Sequence, residues 1–220
     1  MSVGISPERG SVLLEGLSWA TFEALLADLG DGRGRLAFSD GVLEIMTAFE
    51  EHEHVGCLLG RFVGTLTEEL DIELKSVAST TLERADLEKA IEADRAFYIG
   101  RESVERKGPI MDLPREAPPD LGIEVGVSRK ALARLPIHAA LGVPEVWTWE
   151  KGQVTFHGLT ESGDYAVIER SRNLPMLTAA DLNRWLARAE ELGETKLIRE
   201  FRSWVRESFG EGGAPGGKTA

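Results

Sequence analysis

The stretch PPDLGIEVGVS, residues 118–128, decides how this chain is read. Leu121, Ile123 and Val125 alternate with Asp120, Gly122, Glu124 and Gly126. Residues two apart share one face of a strand, so Glu124 stands between two glycines on its own face. The apolar density around it predicts a buried strand. A buried carboxylate is costly unless it is paired, protonated or bound to metal. The flanking glycines predict open space beside it. From these residues alone, an ion pair with Arg95 or Arg134 and a metal site explain Glu124 equally well.

A second carboxylate, Asp94, opens a predicted strand over residues 94–99 (DRAFYI). Taken alone, an aspartate there reads first as a turn residue. Two carboxylates on neighbouring strands also suit a hard divalent cation. Magnesium takes one or two carboxylates and keeps several waters. Such a cation polarises a phosphate and activates a bound water. A lysine beside the second acid normally completes this set, by orienting or deprotonating the attacking water.

Outward from these strands, helices and strands follow by period and capping. Ser18 caps a helix that ends at Gly30. RLAFSDGVLEIMT reads as a hairpin turning at Ser39-Asp40-Gly41. Val42, Glu44 and Met46 share one face of its second strand. Val55, Leu58, Leu59, Phe62, Leu66 and Leu70 form the stripe of a long helix from about residue 50 to 70. Glu51 and His52 flank that stripe, and His54 points to solvent. Short strands follow near 72–77 and 80–83, and residues 100–119 read as a charged loop. A helix is predicted over 129–141. VPEVWTWEKGQVTFHGL then reads as a hairpin, with Trp147 and Trp149 in the core, and YAVIER adds a strand. Thr178, with Asp181 in capping-box position, opens a helix to about Leu192. A last helix covers 194–208. These elements make an α/β (α+β) domain around one mixed sheet.

The chain has 220 residues, a net charge of −12 and a single cysteine, Cys57. That length suits one sizeable core. The acidic balance weighs against a protein that coats nucleic acid through bulk positive charge. One cysteine allows no internal disulfide, which fits a cytoplasmic setting. No apolar run reaches the roughly 18 residues of a membrane span, and the first residues do not read as a signal peptide. There is no zinc spacing, phosphate-binding glycine loop or nucleophile elbow. His138 and His157 stand alone and read as structural or exposed.

Five segments in order, DGVLEIM, EHEHV, EADRAFYI, PPDLGIEV and LPIHAALGVPEVW, resemble the Uma-type restriction endonuclease family of the PD-(D/E)XK nuclease-like superfamily. The resemblance runs from Leu17 to Leu186. It implies a restriction-endonuclease-like core with an N-terminal hairpin and C-terminal helices. It implies that Asp94 and Glu124 are the two metal-binding acids, although Ala93 replaces the proline that usually precedes the first. Glu44 and His52 match supporting positions in the same cleft. The E-x-K lysine would fall at residue 126, which is glycine. The lysine of the following helix aligns with Arg134, and Lys130 lies one turn earlier.

The function so implied is magnesium-dependent (or manganese-dependent) hydrolysis of DNA by a cytoplasmic homodimer with no membrane partner. The alternative is a nuclease fold that no longer cuts and serves as a binding or regulatory module. The expected organisation is an N-terminal arm (1–16), the nuclease-like domain (17–186), a helical extension (187–209) and a disordered glycine-rich tail (210–220). Leu197, Ile198, Phe201, Trp204 and Val205 form an apolar stripe on the extension. It suits a dimer interface or packing on its own domain equally.

Overall fold

The computed structural model describes residues 5–8, 11–30, 34–46, 50–77, 80–101, 110–113, 115–126 and 132–210. Helix α1 (Trp19–Leu29) starts where the Ser18 hydroxyl accepts the Thr21 N–H at 3.2 Å. Strands β1 (Ile5–Glu8) and β2 (Ser11–Glu15) precede it. After it come β3 (Arg35–Ser39) and β4 (Val42–Met46). Asp40 and Gly41 join them, with φ of 53° and 79°. Two left-handed residues in a row make the tight turn whose twist matches a hairpin. The expected turn therefore forms where the sequence places it.

The strands build two sheets rather than the single one expected. The first has the order β1-β2-β4-β3-β7-β6-β9, where β6 is Thr81–Arg84, β7 is Lys89–Ile91 and β9 is Ile110–Asp112. The second runs β13-β12-β11-β10-β8-β5. Here β5 is Leu74–Ser76, β8 is Arg95–Ile99 and β10 is Leu121–Val125. The remaining strands are β11 (Glu145–Glu150), β12 (Gln153–Leu159) and β13 (Tyr165–Ile168). Strands β7 and β9 are three residues each, too short for a period of two to register. They carry the first sheet through segments where no strand is expected, including part of the 100–119 loop.

Helix α3 (Arg134–Ala140) lies between the sheets. Its Ile137 and Leu141 beyond it join one apolar cluster with Ala37, Leu82, Ile91 and Met111 of the first sheet. Ala96, Tyr98 and Val146 of the second sheet complete that cluster. On the far face of the first sheet, Phe22 and Leu26 of α1 pack on Phe38, Leu43 and Ala90. On the far face of the second, Leu121, Ile123, Val125, Trp147 and Phe156 meet helix α2 (Glu50–Glu69). Trp147 stacks on Phe156 with ring centroids 4.4 Å apart, so it is core, as its spacing predicts. No helix among the described residues is long and apolar enough to cross a membrane.

Helix α4 (Ala179–Leu186) opens with the capping box of Thr178 and Asp181. It ends six residues before the predicted Leu192, and turns carry the chain from there to α5 (Glu194–Phe209). Leu197, Ile198, Phe201 and Val205 of α5 are buried in the cluster that contains α2. Phe201 lies 4.6 Å from the Phe62 ring, centroid to centroid. The apolar stripe thus packs on its own domain and is not left free for a dimer.

Glu83 shows a cost in the first sheet. It stands beside Asp112 in the parallel register of β6 and β9. Burial, then the charges of Glu23 and Asp112, push its carboxyl up to about 7 from 4.5. The folded state holds a proton there that the unfolded chain releases earlier. That contribution to stability is full below about pH 4.5 and is lost as pH rises through about 7. Glu83→Gln should therefore raise the melting temperature above pH 7 and change it little near pH 5. Equal shifts at both pH values would contradict this reading.

Candidate active site

Strands β8 and β10 run antiparallel with Leu121 opposite Phe97, Gly122 opposite Ala96 and Ile123 opposite Arg95. One further step in that register sets Glu124 opposite Asp94. Directly opposed residues present their side chains on one face. Both acids therefore rise from the face of the second sheet that looks toward the first. Glu124 is fully buried and Asp94 nearly so.

Each acid meets a different partner. Asp94 Oδ2 accepts the Val125 N–H at 2.6 Å. Its Oδ1 lies 3.1 Å from Nη1 of Arg35, which reaches across from β3. Arg35 also pairs with Glu53 of α2. Glu124 Oε1 lies 2.8 Å from Nε2 of His138. Neither expected partner of Glu124 is there. Arg95 turns to the other side of the sheet and donates to Cys57 Sγ at 2.8 Å. Arg134 points to the first sheet and pairs with Glu44 Oε2 at 3.1 Å. The Leu132 N–H donates to the same oxygen at 3.1 Å.

Helix geometry explains the exchange. Arg134 and His138 are four residues apart on α3, so they share one face. That face lies in the gap between two sheets. Arg134 reaches the acid of one and His138 the acid of the other. Nη1 and Nε of Arg134 have no partner among the described residues, although its side chain is 1% exposed.

The two glycines have distinct causes. A Cβ on Gly122 would lie 3.3 Å from Cε1 of His138. The expected open space beside Glu124 is thus filled, on that side, by an imidazole. Gly126 lies just past β10 with φ of 67°, and its N–H donates to the Trp149 carbonyl at 2.8 Å. A lysine there would be strained in this left-handed conformation. The backbone itself disfavours the standard lysine position.

Glu145 is a third buried acid, passed over in the sequence. It accepts from Trp147 Nε1 at 2.6 Å and from Arg172 N at 2.8 Å. Both the backbone and side-chain nitrogens of Asn173, and the Ser171 hydroxyl, also donate to it. So many protein donors mark an anchor for the 171–173 loop. Its place two residues ahead of the strand's aromatic pair gave no sign of this. His157 is not alone either. It shares a hydrogen bond of 2.9 Å with Thr148, and burial holds its imidazole below the usual range. Lys130 and the side chain of His52 lie outside the described residues. His54 is exposed, as its helix position predicts.

The donor chemistry fits a hard cation in kind. Two carboxylates share one buried face, and oxygen ligands are what magnesium and manganese prefer. Arg35 already sets one positive charge against Asp94, so a metal ion there would share that carboxylate with it. Among the described residues, no group of three or more His, Cys, Asp or Glu side chains stands close enough to hold a metal ion.

Residues 19–190 match the model of the Uma2 family, described as "Putative restriction endonuclease". The chain belongs to this family. The match spans both acids, Glu44, α3 and α4. A crystal structure described as "a putative nuclease belonging to DUF820 from Anabaena variabilis ATCC 29413" is similar in fold, with a TM-score of 0.51. The two share 13% identity over 77% of this chain and 99% of that one. None of the curated proteins matches the chain. The fold, two mixed sheets flanked by helices, is restriction-endonuclease-like.

Removing one member of a buried ion pair strands the other charge. Glu44→Ala should cost about 3–5 kcal/mol of unfolding free energy. Denaturant titration measures it, and a loss below about 1 kcal/mol would place Arg134 elsewhere than in a dry pair.

Proposed function

We propose that the chain is a metal-dependent endonuclease that hydrolyses DNA phosphodiester bonds. The observation that carries this is that buried Asp94, just ahead of β8, hydrogen-bonds Val125 N–H beside buried Glu124, in a chain of this family. Asp94 and Glu124 would hold magnesium or manganese. Bound there, the ion supplies Lewis acidity toward a phosphate and a more acidic water. Arg134 keeps two guanidinium nitrogens without a partner among the described residues, and these suit a phosphate oxygen. Glu44 holds that guanidinium in place. Lys130 belongs to the same proposal as a phosphate or water contact, and His52 as a support. A homodimer would bring two such sites to the two strands of a duplex.

A second reading has an observation of its own. Read as aligned with the family's lysine, Arg134 carries a guanidinium, which is a poor general base. It is also tied to Glu44. That favours a nuclease fold that binds without cutting, as a binding or regulatory module.

A plasmid-nicking assay with magnesium and with manganese separates the two. The first reading expects nicking that stops on chelation and falls at least about 100-fold in Asp94→Ala and Glu124→Ala. Nicking at the same rate in wild type and Asp94→Ala would end the catalytic reading. Manganese uptake without nicking would favour the binding module.

A further inference from the structure

We infer that His138 is a positioning residue for Glu124: its ring nitrogen fixes the direction in which the carboxylate faces a metal ion. This rests on the reading of Glu124 as a metal ligand. The geometry is specific. His138 is fully buried, its Nε2 lies 2.8 Å from Glu124 Oε1, and its ring lies against Gly122. Residue 122 precedes Glu124 on the same strand face. Any side chain at 122 would press on the imidazole, so glycine there and histidine on α3 form one device.

The tautomer follows from the second ring nitrogen. Nδ1 is buried with no partner among the described residues. A proton on Nδ1 would be an unpaired buried donor, which is costly. The proton therefore sits on Nε2 and is donated to Glu124. That donor ties one carboxylate oxygen, Oε1, to the helix. The contrast lies one helical turn away, where Arg134 sets a full positive charge against Glu44. Asp94 likewise faces the guanidinium of Arg35. Of these three acids, Glu124 is the one that α3 meets with an imidazole. Groups that hydrogen-bond a ligating carboxylate in this way fix its direction and tune metal affinity.

The test is manganese binding to the full chain, by calorimetry or by the spectrum of free manganese. His138→Phe fills the space over Gly122 but cannot donate. It should weaken binding by about tenfold or more. His138→Gln places an amide nitrogen where Nε2 stands and should keep binding close to wild type. In a Glu124→Ala background, His138→Phe should have no further effect, because the acceptor that His138 serves is already gone. A general packing role would instead weaken both backgrounds alike. If the phenylalanine variant does not fold, His138→Asn, polar but too short to reach Oε1, takes its place. Wild-type affinity in His138→Phe, or an equal loss in both backgrounds, overturns the assignment while leaving the metal reading intact. A wild-type chain that takes up no manganese overturns the metal reading itself, and this assignment with it.

Discussion

Helix α3 carries two polar side chains into a gap that is otherwise apolar. Arg134 and His138 are buried between the sheets, and each meets an acid that is itself fully buried. A buried charge without a partner is far more costly than a missing methylene. The positions of both sheets relative to α3 are therefore specified by charge as well as by packing. Ile137 and Leu141 supply the apolar grip, and the two polar contacts set the register of the helix within it. If α3 slid by one turn, Glu44 would meet the histidine and Glu124 would lose its donor.

The same arrangement distributes charge unevenly over the acids. Glu44 is neutralised by a guanidinium, Asp94 is shared by a guanidinium and a backbone amide, and Glu124 meets an imidazole. Glu145, saturated by protein donors, is the counterexample of an acid used as scaffold. Burial alone does not distinguish these roles, since Glu44, Glu124 and Glu145 are equally inaccessible. The identity and charge of each partner do.

Much of the fold was legible residue by residue. Caps at Ser18 and Thr178, the Asp40-Gly41 turn and the stripe of α2 act over a few neighbouring positions, so local pattern is enough to find them. Strands of three residues are not legible, because a period of two needs more positions to show. That is why β7 and β9, and with them the separate first sheet, escaped notice. The candidate acids were legible because a charge inside a run of apolar alternation is conspicuous. Their partners were not. Arg95 is on the neighbouring strand and Arg134 on the helix that follows, yet the first faces the wrong side and the second faces the wrong sheet. His138 drew no attention because a lone histidine in an apolar helix is usually structural.

The sequence by itself determined that Glu124 lies in a buried strand, that Asp94 opens another, and that five motifs stand in the order of one family. Those are properties of short segments and of their succession along the chain. Only the tertiary structure decided that the two acids oppose one another, that His138 rather than an arginine meets Glu124, and that residue 126 turns left-handed. Pairing across strands and between sheets depends on which faces meet. That choice is made by the collective burial of apolar surface, in which no single segment carries the information.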